Sequence, residues 1–292
     1  MTELYERRAT ISLNGRSFEG PLYARGHWIP GFRLVFDIER SLKQTGNKAE
    51  VSIYNLSATS RGLVQTPRPD GLYPLRVDAG YAEGTGVLFD GQATYVIHER
   101  TTTGFVTKAT AADEVHAKQG VVNASFSPGV SFGQALKAAA EALGVSAKKA
   151  VAQAIAGDFD GAKKAFIQGV SLSGPANTVM DNLAKTAGFE WSVQDGELVI
   201  VPEDDFADPV AVLLSAKTGL LGSPWKVVDK KDSKKTIVAA KSLLQASLRV
   251  GGKVVLDSQE LSGTYKIVHV KHKGDTHGAE WTSEVEMVNL AV

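Results

Sequence analysis

The chain has 292 residues, room for two or three domains at the usual ~100–200 residues each. Its 32 Lys+Arg balance its 32 Asp+Glu, which argues against wholesale nucleic-acid binding, because that needs a dominant basic face. There is no cysteine, so disulfides and thiolate metal sites are excluded.

The opening MTELYERRAT is charged and lacks an apolar centre, so no secretion signal is read there. No run approaches the ~20 apolar residues that span a bilayer, and a soluble chain with no membrane segment is expected. The 29 glycines suit a turn-rich β protein.

Residues 1–112 read as β. Phe32, Leu34, Phe36 and Ile38 alternate with polar neighbours, the period of a strand with one buried face. Val51 to Tyr54 repeats the pattern, and Leu75, Val77, Ala79 and Tyr81 repeat it again. A turn is placed at Glu83–Gly86, after which Val87, Phe89, Gly91, Ala93, Tyr95 and Ile97 line one side. Phe105 to Ala111 follows the Thr103–Gly104 break. Regular strands with glycine turns predict a sandwich or barrel of antiparallel neighbours. One short helix is predicted at Ala58–Val64, capped by Ser57.

Residues 113–205 change period. Phe132, Ala135, Leu136, Ala139 and Leu143 predict a helix ended by Gly144. Val179, Leu183, Ala184 and Ala187 predict a second, ended by Gly188. A hairpin follows, with Phe189, Trp191 and Val193 before an Asp195–Gly196 type I′ turn and Leu198 and Ile200 after it. The Ala-rich stretch Ala147–Gly161 fits helix or loop.

Residues 206–292 return to β, with strands predicted at Val210–Ser215, Lys235–Ala240, Ala246–Val250, Lys253–Asp257, Tyr265–His272 and Trp281–Val288. Tyr265, Ile267 and His269 are read on one face, and Glu280, Thr282, Glu284 and Glu286 on the face opposite Trp281. Both β regions are expected to be half-buried and antiparallel.

No catalytic spacing stands out. His269, His272 and His277 cluster, but positions three apart on a strand point to opposite faces, and no carboxylate completes a ligand set. Glu190, Asp195 and Glu197 lie near one hairpin, as acids do by chance in a chain of this size. There is no G-x-S-x-G, and Gly84-Thr85-Gly86 lacks the third glycine and the helix of a phosphate loop. Lys230, Lys231, Lys234 and Lys235 are interleaved with acids, as in a solvated loop, and are possible interface residues. Trp28, between Gly26 and Gly31, is either an exposed interface aromatic or a loop folded back on the barrel.

Several phrases occur in order: Val51-Ser52-Ile53-Tyr54-Asn55-Leu56-Ser57, then Ala79-Gly80-Tyr81 with Leu88-Phe89-Asp90-Gly91, then ANTVMDNLAKTAGFEWSVQDGELVIVP, TGLLGSP and GTYKIVHVKHKGDTHGAEWTSEVE. In that order they resemble the hub protein of phage tail baseplates, a family also found in related contractile injection systems. The resemblance implies a mainly β chain. Two tail-tube-like antiparallel β-barrels (1–112 and 206–292) would flank an α+β helix–hairpin middle (113–205). It implies a homotrimer presenting six barrels around a channel, with a tail tube ring above, a central spike below and baseplate wedge proteins at the side. The tape measure protein and DNA would pass through, and the protein would lie in the virion's tail baseplate. It implies no enzyme activity, no cofactor, no catalytic residue and no metal. The rival readings are a tail-associated peptidoglycan hydrolase, the hub of a tailocin or secretion particle, and a sugar-binding β module using Trp28 as a stacking platform.

Overall fold

The structure is a computed structural model that describes residues 6–24, 27–42, 47–66, 68–112, 120–156, 166, 168–228 and 236–290. It has two compact units: Met1–Ser41, Asn47–Ala112 and Asp208–Val292 form one, and Leu42–Gly46 with Asp113–Ala207 form the other.

The first unit opens with β1 (Arg8–Leu13), β2 (Arg16–Glu19), β3 (Leu22–Ala24), β4 (His27–Ile29), β5 (Leu34–Ser41) and β6 (Lys48–Tyr54). Helix α1 (Ala58–Val64) follows, its first turn capped by Ser57 Oγ, which accepts the Ser60 N–H. Then come β7 (Tyr73–Tyr81), β8 (Gly84–Thr101) and β9 (Gly104–Ala112). The β7–β8 turn falls at Ala82–Glu83, ahead of the predicted glycines, which are already paired: Tyr81 faces Gly84.

The second unit holds β10 (Val121–Phe126), α2 (Phe132–Leu143), α3 (Lys148–Ala156), β11 (Val170–Pro175), α4 (Ala176–Ala187), β12 (Phe189–Gln194) and β13 (Glu197–Pro202). Its helices end as their glycines dictate, with Gly144 at φ 70° and Gly188 at φ 72°. Asp195 and Gly196 both have positive φ, as a type I′ turn requires. The Ala-rich stretch is helical over α3 because Ala150 and Ala154 bury one face. Residues 157–161 lie outside the described residues. Phe132, Leu136, Met180, Phe189 and Ile200 anchor this unit's core.

The chain then returns to the first unit with β14 (Asp208–Ser215), β15 (Leu220–Val228), β16 (Thr236–Leu243), β17 (Gly252–Asp257), β18 (Gly263–Asp275) and β19 (Trp281–Asn289). The two ends of the chain share one sheet, in the order β15-β16-β19-β18-β5-β6-β9-β8-β7-β1-β2, with β17 on β18 and β14 on β17. The join is β18 against β5, antiparallel from His269↔Ser41 to Asp275↔Val35. It is clamped by Arg33, which gives Asp275 two hydrogen bonds (3.2 and 2.7 Å). Thr276 Oγ1 accepts the Leu34 N–H at 3.0 Å.

Four strand expectations need correction. Ala246–Val250 is not a strand: the Leu248 N–H bonds back to Gln245 O and the Gly252 N–H to Arg249 O, so the segment turns, and it buries Leu248 and Val250. The last region is not wholly antiparallel, since β14 runs parallel to β17. On β8, a bulge between Ala93 and Tyr95 turns Val96 inward and Tyr95 and Ile97 outward, so the six residues read on one side divide between two faces. On β18, a bulge between Ile267 and His269 does the same: Tyr265 and Ile267 are buried, and His269 faces out. An extra residue in one strand flips every later side chain, and alternation alone does not reveal it. The second bulge also marks where β18 changes neighbour, from β17 to β5.

The core of the first unit runs through Ile11, Leu34, Phe36, Val51, Ile53, Val77, Phe89 and Trp281. At the join, Gly274 pairs with Phe36 on one flank and Trp281 on the other. A Cβ on Gly274 would sit 2.2 Å from Phe36 Cζ. The bare backbone lets the two rings meet edge to face, their centroids 5.5 Å apart. Gly274→Ala is therefore expected to cost about 1–3 kcal/mol, because the Phe36 ring is enclosed and cannot yield. The shift of the denaturant midpoint at constant m-value measures it.

Candidate functional site

One face of the joined sheet carries an ordered array of charge. In an antiparallel sheet, residues directly opposite one another point to the same side. The pairing therefore strings Lys241 (β16), Glu284 (β19), Lys271 (β18), Glu39 (β5) and Lys48 (β6) into one row, with the sign alternating at every strand. A second row runs Lys273, Asp37, Glu50, Thr110 and Tyr95, from β18 to β8.

The contacts follow the rows. Lys241 Nζ is 2.8 Å from Glu284, Lys271 is 3.3 Å from Asp37 and 3.8 Å from Glu39, Lys273 is 3.8 Å from Asp37, and Lys108 is 2.6 Å from Glu99. His269 Nε2 lies 3.0 Å from Glu39. The hydrogen bond from His269, with Lys271 and Lys48 nearby, holds the Glu39 carboxyl below its ordinary value despite partial burial. The hydrogen bond from Lys241 does the same for Glu284. Solvated pairs of this kind are screened and cost side-chain freedom to hold, so the array does little for stability. Its effect is to leave a broad polar surface whose central row alternates in sign.

Large apolar side chains frame this surface. Tyr95 and Ile97 on β8 are 50% and 38% exposed, and Leu221 and Trp225 on β15 are 37% and 48% exposed. Leu221 lies opposite Lys241 and Trp225 opposite Ala239, so both share the charged face.

The three histidines separate. His269 is on the charged face. His272 is buried on the other side, where its Nδ1 lies 2.8 Å from Ser283 Oγ, which accepts the Gln245 N–H at 3.0 Å. Burial first, and then the charges of Arg40 and Arg249, push its pKa down to about 3, against a hydrogen bond to the Leu248 backbone. This histidine fastens the 245–249 turn to β18 and β19. His277 sits in the turn after β18, its N–H bonded to Asp275. Among the described residues, no group of three or more His, Asp or Glu is placed to hold a metal ion. Nor is any helix among them long and apolar enough to cross a membrane.

Of the hairpin acids, Glu190 lies in β12, Asp195 in the turn and Glu197 in β13, where it faces Lys149 at 3.6 Å. Trp28 lies on the two-stranded β3–β4 ribbon, opposite Tyr23, and is 71% exposed. Lys230, Lys231, Lys234 and Lys235 lie outside the described residues. Sequence reading missed the charged face, because no single strand shows it. The signal was there in the alternating charges of Asp37 and Glu39 and of Lys271 and Lys273, but the register that aligns them comes only from the fold.

The chain, with a long and mostly antiparallel sheet built from its two ends and a separate helix–hairpin unit inserted between them in sequence, has a tail-protein fold. It is similar over nearly its whole length to the 43 kDa tail protein of prophage MuSo2 from Shewanella oneidensis, with TM-score 0.63, 10% identity and 97% of each chain covered. It is similar to the tail protein from Neisseria meningitidis MC58, with TM-score 0.62, 9% identity and coverage of 98% of this chain and 97% of that one. An Escherichia coli component of the type VI secretion system, itself described as structurally similar to T4 bacteriophage tail proteins, matches with TM-score 0.57 and 10% identity over 89% of this chain and 74% of that one. No family model matches the chain, and no curated protein matches it in sequence. At this identity the likeness is one of fold, and it agrees with the tail-protein fold that the ordered phrases of the sequence imply.

Proposed function

We propose that this chain is a non-enzymatic structural hub of a tail baseplate, three copies of which form a ring joining the tail tube to the central spike. In this reading residues 1–112 and 206–292 each supply a tube-like barrel, so that three chains present six to a sixfold tube while keeping threefold symmetry for the spike. Residues 113–205 serve as the platform for baseplate wedge proteins, and the exposed Trp28 ribbon and the Lys230–Lys235 run are contact points. The observation that carries the reading is the charge-alternating face on a tail-protein fold. A channel that must pass a tape measure protein and then DNA needs a hydrated wall that does not hold a polyanion. Alternating Lys and Glu provide hydration with no net attraction.

Light scattering coupled to size exclusion, and images of the particle along its axis, test the ring: a trimer with a central opening is expected, and a strict monomer at every concentration defeats the reading. The lining role has its own test. Changing Glu39→Lys and Glu284→Lys together turns the central row wholly basic. The variant is expected to bind duplex DNA at 50 mM salt and release it by 200 mM, while the natural chain binds at neither, as read by fluorescence anisotropy.

A further inference from the structure

We infer that this chain carries a slot that takes an extended, acidic segment of a partner protein as an added β-strand. The slot lies within the first unit, where β14, the tip of the β7–β8 hairpin and the 244–249 turn line a groove of about 670 Å3, the size of a ligand site rather than of a packing gap. The inference goes beyond the hub reading and does not depend on it.

Two strand flanks open onto this groove. Ala211, Val212 and Leu213 of β14 all line it. Successive strand residues point to opposite faces, so a space that touches all three lies along the flank of the strand. β17 holds one flank of β14, and among the described residues no strand holds the other. Thr218 Oγ1 marks where that flank ends: it donates to Leu213 O at 2.7 Å and accepts the Ser215 N–H at 2.8 Å. On another wall, Gly84, Thr85 and Gly86 line the groove in succession. β7 holds one flank of this stretch, and β9 joins β8 only from Gln92 onward. A Cβ on Gly84 would meet nothing within 4 Å, so the main chain is bare there. Two open edges on one groove suit main-chain pairing by an inserted strand.

The lining selects the occupant. Leu213 is exposed, and Gly86 packs so closely on Ala246 that an added Cβ would sit 2.6 Å from the Ala246 Cβ. Lys217 and Arg249 line the groove, and no acidic residue does. Among the described residues neither cation has an ion-pair partner, whereas Lys241 and Lys271 on the charged face are neutralised within the fold. Two cations without an anion beside an apolar lining fit a segment in which carboxylates alternate with apolar side chains. At ~3.3 Å per residue, the edge from Ala211 to Leu213 holds about three residues of it.

A library of random heptapeptides displayed on yeast, selected against the whole chain, tests the slot, with fluorescence anisotropy of the enriched peptides as the readout. Enriched sequences are expected to carry Asp or Glu among β-branched residues. Lys217→Glu with Arg249→Glu is expected to weaken their binding by about tenfold or more. Gly84→Val, which fills the groove from the hairpin, is expected to do the same with an unchanged thermal transition. Peptides N-methylated at alternate residues cannot pair along the edge and are expected to bind about tenfold more weakly or worse, a loss that a purely ionic contact would not show. Failure to enrich any peptide, enrichment without acids, or binding untouched by both variants overturns the slot. Binding that appears only after residues 1–5 are removed overturns it in favour of the chain's own first residues. Self-association abolished by Gly84→Val overturns it in favour of a second copy.

Discussion

Trp281→Ala is expected to destabilise the first unit by about 4 kcal/mol, within the ~3–5 kcal/mol typical of a buried Trp→Ala change. Trp281 is among the largest fully buried side chains, packed edge to face on Phe36 and lying under the Arg7 guanidinium, 5.5 Å from the ring centroid. It lies on β19 and Phe36 on β5, so the pair belongs to the last and first thirds of the chain at once. Truncation leaves a cavity at the join, walled by strands that cannot collapse inward without breaking register. Among the described residues the buried indole Nε1 meets no hydrogen-bond partner, so Trp281→Phe forfeits little polar energy and is expected to cost under half as much. Denaturant titration of the two variants and of the Phe36→Leu double mutant measures the coupling. Equal losses for Trp281→Ala and Trp281→Phe would refute this account of the join.

Acidification is the second large effect. The folded pKa of His272 is depressed to about 3 from an ordinary 6.5. Between those values the unfolded chain binds a proton that the folded chain refuses. The stability contributed by neutral His272 is thus complete above pH 6.5 and is lost as pH falls toward 3, by up to roughly 4–5 kcal/mol at about 1.4 kcal/mol per unit. Glu39, Glu284 and Asp275, also depressed, act lower down: their contribution is present above the ordinary carboxylate range and disappears as pH falls through their folded values. The window from pH 4.5 to 6.5 therefore belongs chiefly to His272, with a smaller share from His98, which burial also lowers. His272→Gln is expected to flatten the dependence of urea midpoint on pH in that window. An unchanged slope would show that the imidazole is not buried neutral.

Most elements were legible because one strong local rule governed each. Gly144 and Gly188 end their helices in the left-handed region, Asp195–Gly196 makes the primed turn, and the alternation of Phe36 and Ile38 set the buried face of β5. Bulges defeated the same reasoning, since an inserted residue on β8 or β18 leaves no trace in residue type. The bounds of strand β15 were not legible because Gly222 and Pro224 interrupt it, and an edge strand tolerates both. The His272 cluster was hidden for another reason: its partners, Ser283 and the 245–249 turn, are distant in sequence. The charged face needed long-range register, and no window of the chain holds that.

The β5–β18 pairing bears on how the protein is made. Arg33 and Asp275 are 242 residues apart, and at ~5–20 residues per second a ribosome needs on the order of 10–50 s between them. Throughout that interval the nascent first third shows an open β5 flank, while the inserted helix–hairpin segment has everything its own core requires. Messages truncated before codon 275 should therefore give products that aggregate through β5, and slowing translation late in the gene should lower the soluble yield more than slowing it early.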